Sequence, residues 1–382
     1  MIYAIPYLLY VIFLGILAIM TYQRHDDEEF CHRVTIICAL SFIIFFGFRG
    51  FINTDWLVYL PAYEKASWYD LTHFEAGKTR EPGFLFFVML TKSIYPNYHF
   101  FIFLQTLLNT YLLFSFFRRY SDNVALTLLI SLVFEGFTIN ANLIRNSTCI
   151  FIFLYSIPYI YERKPVHFFA CWLLSISFHF SGFFFLPLYF FLHRRLNKWV
   201  YISIFAVCVI IFVIQVPIFM KLVQLTGMEG DFIDMKVEGY SEISGRRGIG
   251  LGLIERLVTG LLVFCYYDKI RDMRPENNIF INSLLIFFVI IFMFSEFAEI
   301  GKRLFTLFIF SYWIIWGDII KCFYYEKNRY LFCTFVGLYC MAKTVGTLSE
   351  PIHEYDNLLF GDIKSFQERK YIFEKTFKEP EY

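Results

Sequence analysis

The sequence predicts an all-α, polytopic integral membrane protein, and three observations carry that prediction. Hydrophobic residues fill 58% of the 382 positions and Asp, Glu, Lys and Arg only 18%, where a soluble domain holds about a quarter charged residues. Uncharged runs such as Tyr3–Tyr22, Tyr98–Phe117 and Trp199–Phe219 are each long enough to cross a bilayer as a helix. Lys and Arg collect in short loops that alternate along the chain, the pattern of cytoplasmic loops.

Taken in order, the first span is about Tyr3–Tyr22. It lacks the basic start and small-residue cleavage site of a signal peptide. A charged loop, Gln23–Arg33, leads to a second span at Val34–Phe48. A long loop from Arg49 to Pro82 follows, rich in Trp, Tyr and charge. Gly83–Tyr95 is apolar but short and holds Lys92, which suits an interfacial or half-inserted helix. Spans are then expected at Tyr98–Phe117, Val124–Leu143, Asn146–Tyr161, His167–His179, Ser181–Leu192 and Trp199–Phe219. A second loop, residues 220–252, is rich in Gly and charge. Further spans are expected at Leu253–Tyr267, Ile279–Ser295, Leu304–Cys322 and Tyr330–Gly346. The expectation is therefore about twelve spans in one polytopic domain, residues 1–346, with outer loops at 49–82 and 220–252 and a polar C-terminal tail, 347–382.

Several function classes are disfavoured. A net charge of +1 gives no case for nucleic acid. The nine Cys lie mostly inside apolar runs and form no CxxC pair, so they read as small hydrophobes rather than disulfides or zinc ligands. No Walker loop, helix-opening GxGxxG, HExxH or DxD pair is present. No cofactor and no metal are expected, and an inner-face enzyme using a nucleotide sugar is disfavoured.

Orientation follows from the basic loops. With the N-terminus outside and Gly83–Tyr95 not spanning, the inner loops carry Arg24, Arg33, Arg118, Arg119, Arg163, Lys164, Arg194, Arg195, Lys198, Lys269, Arg271, Arg274, Lys327 and Arg329. The unusual polar residues then share the outer side. Arg49 and Asp55 follow the second span, and Arg80 and Glu81 close the first loop. Asn140, Asn142, Arg145 and Asn146 lie in INANLIRNS. His179 and Ser181 lie in SFHFSG, Arg246 and Arg247 in the second loop, and Glu296, Glu299, Lys302 and Arg303 in SEFAEIGKR. Outer arginines need a reason, and an anion such as a lipid pyrophosphate supplies one, because the guanidinium fork donates two hydrogen bonds to one anion. Arg49 follows only fifteen apolar residues, short for a core of roughly 30 Å, so it is expected at or just below the interface. Duller roles exist for each residue. Arg49 can snorkel to headgroups, Arg145 can pair with Glu135, Arg303 can pair with Glu299, and His179 can be a packing residue.

These pieces resemble the EpsG family, relatives of the Wzy-type bacterial polysaccharide polymerases. The resemblance is carried by FRGFINTDWLVYLPAYEK, EPGF, NANLIRNSTCIFIFLYS, SFHFSGFFFLPLYFF and KRLFTLFIFSYW, in that order from about Phe46 to Trp313. This chain has Arg145-Asn146 where the family usually shows Arg-Gln, and Asn53-Thr54-Asp55 where it often shows Gly-Thr-Asp. The resemblance implies a GT-C-like membrane glycosyltransferase at the outer face of the bacterial cytoplasmic membrane. Such a protein joins polyprenyl-pyrophosphate-linked repeat units into exopolysaccharide or capsule. The partners implied are the lipid-linked glycan donor and acceptor and membrane lipids, with a chain-length regulator protein as a further candidate. In that reaction Arg49, Arg145 and Arg303 are the first-choice cations for the leaving pyrophosphate, with Arg80 and Lys302 next. His179 is the expected base and Asp55 its rival. Trp56, Tyr59 and Tyr63 suit stacking on sugar rings. The competing readings are a lipid-linked oligosaccharide flippase or other transporter, an O-antigen-type ligase and, more distantly, an O-acyltransferase.

Overall fold

The computed structural model describes residues 2–73, 80–216, 218, 221, 250–295 and 298–377, with backbone alone at 298–300. It is 80% helical. Among the described residues there is no strand, only an isolated antiparallel bridge between Arg49 and Asn357. Expectations for the second long loop, including Arg246 and Arg247, and for the side chains of Glu296 and Glu299 fall outside the described residues.

The chain divides into two compact units, Met1–Tyr189 with Tyr330–Tyr382, and Phe190–Arg329. In the first unit a 3-10 turn opens α1 (Ile5–Gln23). α2 (Glu28–Phe42) runs on through a π turn to Gly47, giving a continuous helix Glu28–Gly47. It starts well before the expected Val34, because the Asp27 carboxylate accepts from the Phe30 amide (2.8 Å) and Glu28 and Glu29 face the positive helix end. Twenty residues cover about 30 Å, so the span is not short and Arg49 stands just beyond its end.

Next come α3 (Trp56–Lys65), α4 (Trp68–Thr72) and α5 (Pro82–Ile94), the last opened by its proline. α6 (Tyr98–Tyr120) is capped by Asn97, and α7 (Val124–Ser131) by Asn123. A π turn with Glu135 at φ 69° links α7 to α8 (Phe137–Ala141). Gly136 is required there, since a Cβ would sit 2.3 Å from the Ser131 carbonyl oxygen. α9 (Ile144–Tyr161), α10 (Pro165–Phe178) and α11 (Leu188–Phe191) follow.

A buried polar ladder ties α9 to α6. Asn109 donates to Ser147 (3.1 Å), Thr148 donates to Asn109 (2.9 Å), and Gln105 donates to Thr148 (3.1 Å) and to the Ile144 carbonyl. Interhelical bonds of this kind, each worth about 0.6–2 kcal/mol in lipid, fix register where hydrophobicity cannot.

The second unit holds α12 (Lys198–Ile214), α13 (Leu251–Cys265), α14 (Tyr267–Met273), α15 (Asn277–Met293), α16 (Ala298–Phe305) and α17 (Phe310–Cys322). Phe205 of α12 packs on Phe288 and Phe292 of α15. The Asn282 side chain donates to the Leu192 and Arg194 carbonyls, both at 2.8 Å. Arg274 pairs with Asp318, which is buried at one end of α17. The expected span Leu304–Cys322 is interrupted between α16 and α17. α18 (Glu326–Leu348) enters the first unit at Tyr330. Beyond it come a 3-10 turn, Pro351–His353, and α19 (Phe366–Phe377).

Among the described residues five helices suffice, by length and composition, to cross a membrane: Ile2–Gln23, Glu28–Gly47, Tyr98–Tyr120, Val124–Ala141 and Glu326–Leu348. Shorter apolar helices include Pro82–Ile94, Pro165–Phe178, Phe180–Phe191, Lys198–Ile214 and Asn277–Met293. The chain is an all-α membrane protein.

Candidate functional site

The first unit brings four sequence motifs together at the ends of their helices. Arg145, in the first turn of α9, donates from Nε to the Tyr59 hydroxyl (2.6 Å) and from Nη1 to Glu81 Oε2. Glu81 is the residue before α5, and its other oxygen accepts from the Phe180 amide (3.3 Å). Arg145 therefore pairs with Glu81, not with Glu135. The Tyr59 ring lies within reach of two guanidiniums, Arg80 at 5.3 Å and Arg145 at 5.6 Å from its centroid. Burial raises the Tyr59 pKa, opposed by Arg145, so its oxygen stays a neutral acceptor.

Asn142 fixes the start of α3. Its Oδ1 accepts from the amides of Thr54 (3.0 Å) and Asp55 (2.8 Å). That holds Asp55, half-buried, against the NANLIRN motif.

His179 ends α10. Its Nδ1 lies 2.8 Å from Ser181 Oγ and 3.1 Å from the Ser181 amide nitrogen, and the Ser181 hydroxyl donates to Asn146 Oδ1 (2.7 Å). The departure from the family pattern at position 146 thus keeps a side-chain carbonyl that grips the SFHFSG turn.

Arg49 is placed differently. Only 5% exposed, it donates to the backbone carbonyls of Phe46 (2.7 Å) and Ala141 (3.4 Å). Burial lowers its pKa, opposed by Tyr98, Tyr355, Tyr7 and Asp55. It lines a small pocket with Trp56, Tyr98 and His99. Trp56 is buried, donates to the Asn53 carbonyl (2.9 Å) and meets Phe366 edge-on, and Tyr63 is buried too. Tyr59 is the aromatic that faces the arginines. Lys302 and Arg303 lie on α16 in the second unit, both exposed. Among the described residues no cluster of His, Cys, Asp and Glu fits a metal ion.

Glu81, Asn142, Asn146 and Ser181 carry much of this geometry without having been singled out for chemistry in the sequence. Their signal was their place inside EPGF, NANLIRN and SFHFSG.

The fold and this network define an all-helical membrane protein with arginines gathered where helices begin and end. Residues 32–357 match the EpsG family, and the chain belongs to it; it is a membrane protein of the polysaccharide-polymerase type, Wzy-like in kind. No curated protein and no solved structure matches the chain.

Proposed function

We propose that this protein joins polyprenyl-pyrophosphate-linked oligosaccharide repeat units at the outer face of the bacterial cytoplasmic membrane, in a GT-C-like architecture of about twelve spans. The observation that carries the reading is the pair of guanidiniums over the single Tyr59 ring, with Glu81 bonded to Arg145 and Asp55 near enough to act on Tyr59. Two guanidiniums converging on one ring present several N–H donors to a single anion. Two of the five N–H donors of Arg145 serve Tyr59 and Glu81, and the others are suited to a pyrophosphate oxygen.

In the proposed step an acceptor hydroxyl loses its proton and attacks the donor's anomeric carbon. The bond from that carbon to the pyrophosphate oxygen breaks, and lipid pyrophosphate leaves. Arg145 and Arg80 stabilise the charge that grows on the leaving group. His179 takes the proton. The Ser181 amide donates to His179 Nδ1 (3.1 Å) and the Ser181 hydroxyl, 2.8 Å from the same nitrogen, donates to Asn146 Oδ1, which together hold the ring in place. Asp55 remains the rival base. Lys302 and Arg303 keep their assignment as cations for lipid pyrophosphate, to be tested by their own variants.

The test is purified protein in lipid vesicles, given only undecaprenyl-pyrophosphate-linked repeat units. The expected result is longer lipid-linked glycans and released lipid pyrophosphate, both lost in Arg145→Ala. Movement of labelled glycan between leaflets without elongation overturns the reading in favour of a flippase. Transfer only to a different, added acceptor makes the protein a ligase.

A further inference from the structure

The segment after α18 returns to the Arg49 region and is bonded to it residue by residue. Asn53 N donates to the Ile352 carbonyl (2.9 Å), Gly50 N to the Asp356 carbonyl (3.0 Å) and Leu358 N to the Phe48 carbonyl (2.8 Å). The Tyr355 hydroxyl donates to the Phe45 carbonyl (3.0 Å), and the Asn357 side chain to the Ile44 carbonyl (2.9 Å). The approach is close enough that a Cβ on Gly50 would fall 2.0 Å from Asp356 Oδ1.

This ladder fixes depth. The apolar helix Glu28–Gly47 ends one residue before Phe48, so Leu358 is held at the level where that helix leaves the hydrocarbon. Asn357 then shapes a tight tip. Its side chain accepts from the Leu359 amide (2.9 Å) and its carbonyl from the Phe360 amide (3.0 Å). Leu358, Leu359 and Phe360 stand out from the tip 43%, 52% and 77% exposed. Of the neighbouring charges Asp362 is exposed, and four others are turned to each other. Lys364 pairs with Glu354 (2.6 Å), and Arg369 with Glu354 (3.4 Å) and Asp356 (2.9 Å). Apolar and ionic residues of one short segment are thus sorted to different places, as at a lipid–water boundary.

We propose that Leu358, Leu359 and Phe360 enter the leaflet at the Gly47 end of α2, and that this anchors residues 351–364 as a strap holding the Arg49 segment. The partner is lipid, and the inference stands whichever reaction the site performs.

The test uses the full chain with exposed Cys265 and Cys333 changed to Ser. An environment-sensitive fluorophore is attached at Phe360→Cys, or at Gln367→Cys, an exposed position of α19, and the unmodified background sets the baseline. In phosphatidylcholine–phosphatidylglycerol vesicles, the probe at 360 is expected to shift to the blue, to be quenched by lipids carrying a headgroup-level nitroxide, and to resist aqueous iodide. The probe at 367 is expected to show the reverse. Iodide quenching at 360 equal to that at 367 overturns the proposal. Quenching at 360 by neither agent also overturns it, because protein then covers the tip. Changing Leu358, Leu359 and Phe360 together to Ser is expected to speed hydrogen exchange at the Gly50 and Asn53 amides and leave the α6 and α9 amides unchanged. Unchanged exchange at Gly50 and Asn53 overturns the anchoring role.

Discussion

Arg49 and Arg145 look alike in the sequence, each at the end of an apolar run on one expected face, yet their surroundings differ. Arg49 gives its guanidinium to two backbone carbonyls, Phe46 in the π turn and Ala141 at the end of α8, and is 5% exposed. Arg145 gives its guanidinium to side chains, Tyr59 and Glu81, and its own side chain is 16% exposed. Carbonyl partners cannot move away without undoing a helix end, whereas a carboxylate and a phenol can rearrange around an incoming anion. The first arrangement suits a fastening and the second suits the proposed anion site.

The sharpest break of this comparison is Arg145→Ala. Polymerisation is expected to fall about a hundredfold or more, as when a preorganised charge donor is removed, with melting temperature little changed. A variant that melts early instead would make Arg145 a fastening too. Arg49→Ala is expected to act in the opposite sense. Each carbonyl left without its donor costs about 1–3 kcal/mol, so the loss reads out first in thermal stability and protein level. Normal stability with lost turnover would move Arg49 to the other side of the comparison. Glu81→Gln keeps the shape but removes the charge that orients Arg145, and a fall in turnover of about tenfold is expected, with poorer fit to the donor rather than unfolding. Ser181→Ala removes the hydroxyl between His179 and Asn146. A loss of turnover of up to about tenfold is expected, with an altered pH–rate profile, since the ring keeps the Ser181 amide but loses its hydroxyl contact. The smallest change is in the second unit. Lys302 and Arg303 are exposed side chains on α16, and in Lys302→Gln and Arg303→Gln stability should shift by no more than about 1 kcal/mol. Lost polymerisation at normal protein level would place them with Arg145.

Much of the helical plan was legible, because long uncharged runs such as Tyr98–Tyr120 announce themselves by length. The start of α2 was not, since Glu28–Arg33 reads as a charged loop until Asp27 is seen capping it. The break between α16 and α17 was hidden inside one apolar stretch, where hydropathy carries no information about turns. In the candidate site, residue type singled out Arg145 and Tyr59, which the fold brings together, while the pairing of Arg145 with Glu135 gives way to Glu81. Glu135 is nearer in sequence, and Glu81 is brought in by the packing of α5. Trp56 had the composition of a sugar platform, but its indole is enclosed by Phe51 and Phe366. The contact between residues 350–358 and 44–53 rests on backbone hydrogen bonds, which leave no mark in a hydrophobic pattern.

The polar ladder between α6 and α9 also bears on biogenesis. α9 opens with Arg145, Asn146, Ser147 and Thr148, groups that partition poorly into lipid on their own; Arg alone costs about 2.5–3.5 kcal/mol at the middle of an isolated helix. Gln105 and Asn109 of α6 supply partners for that face. α6 emerges from the ribosome before α9, so α9 joins the bilayer with its companion already in place. Replacing Asn109 would then hinder membrane integration before it disturbed any chemistry.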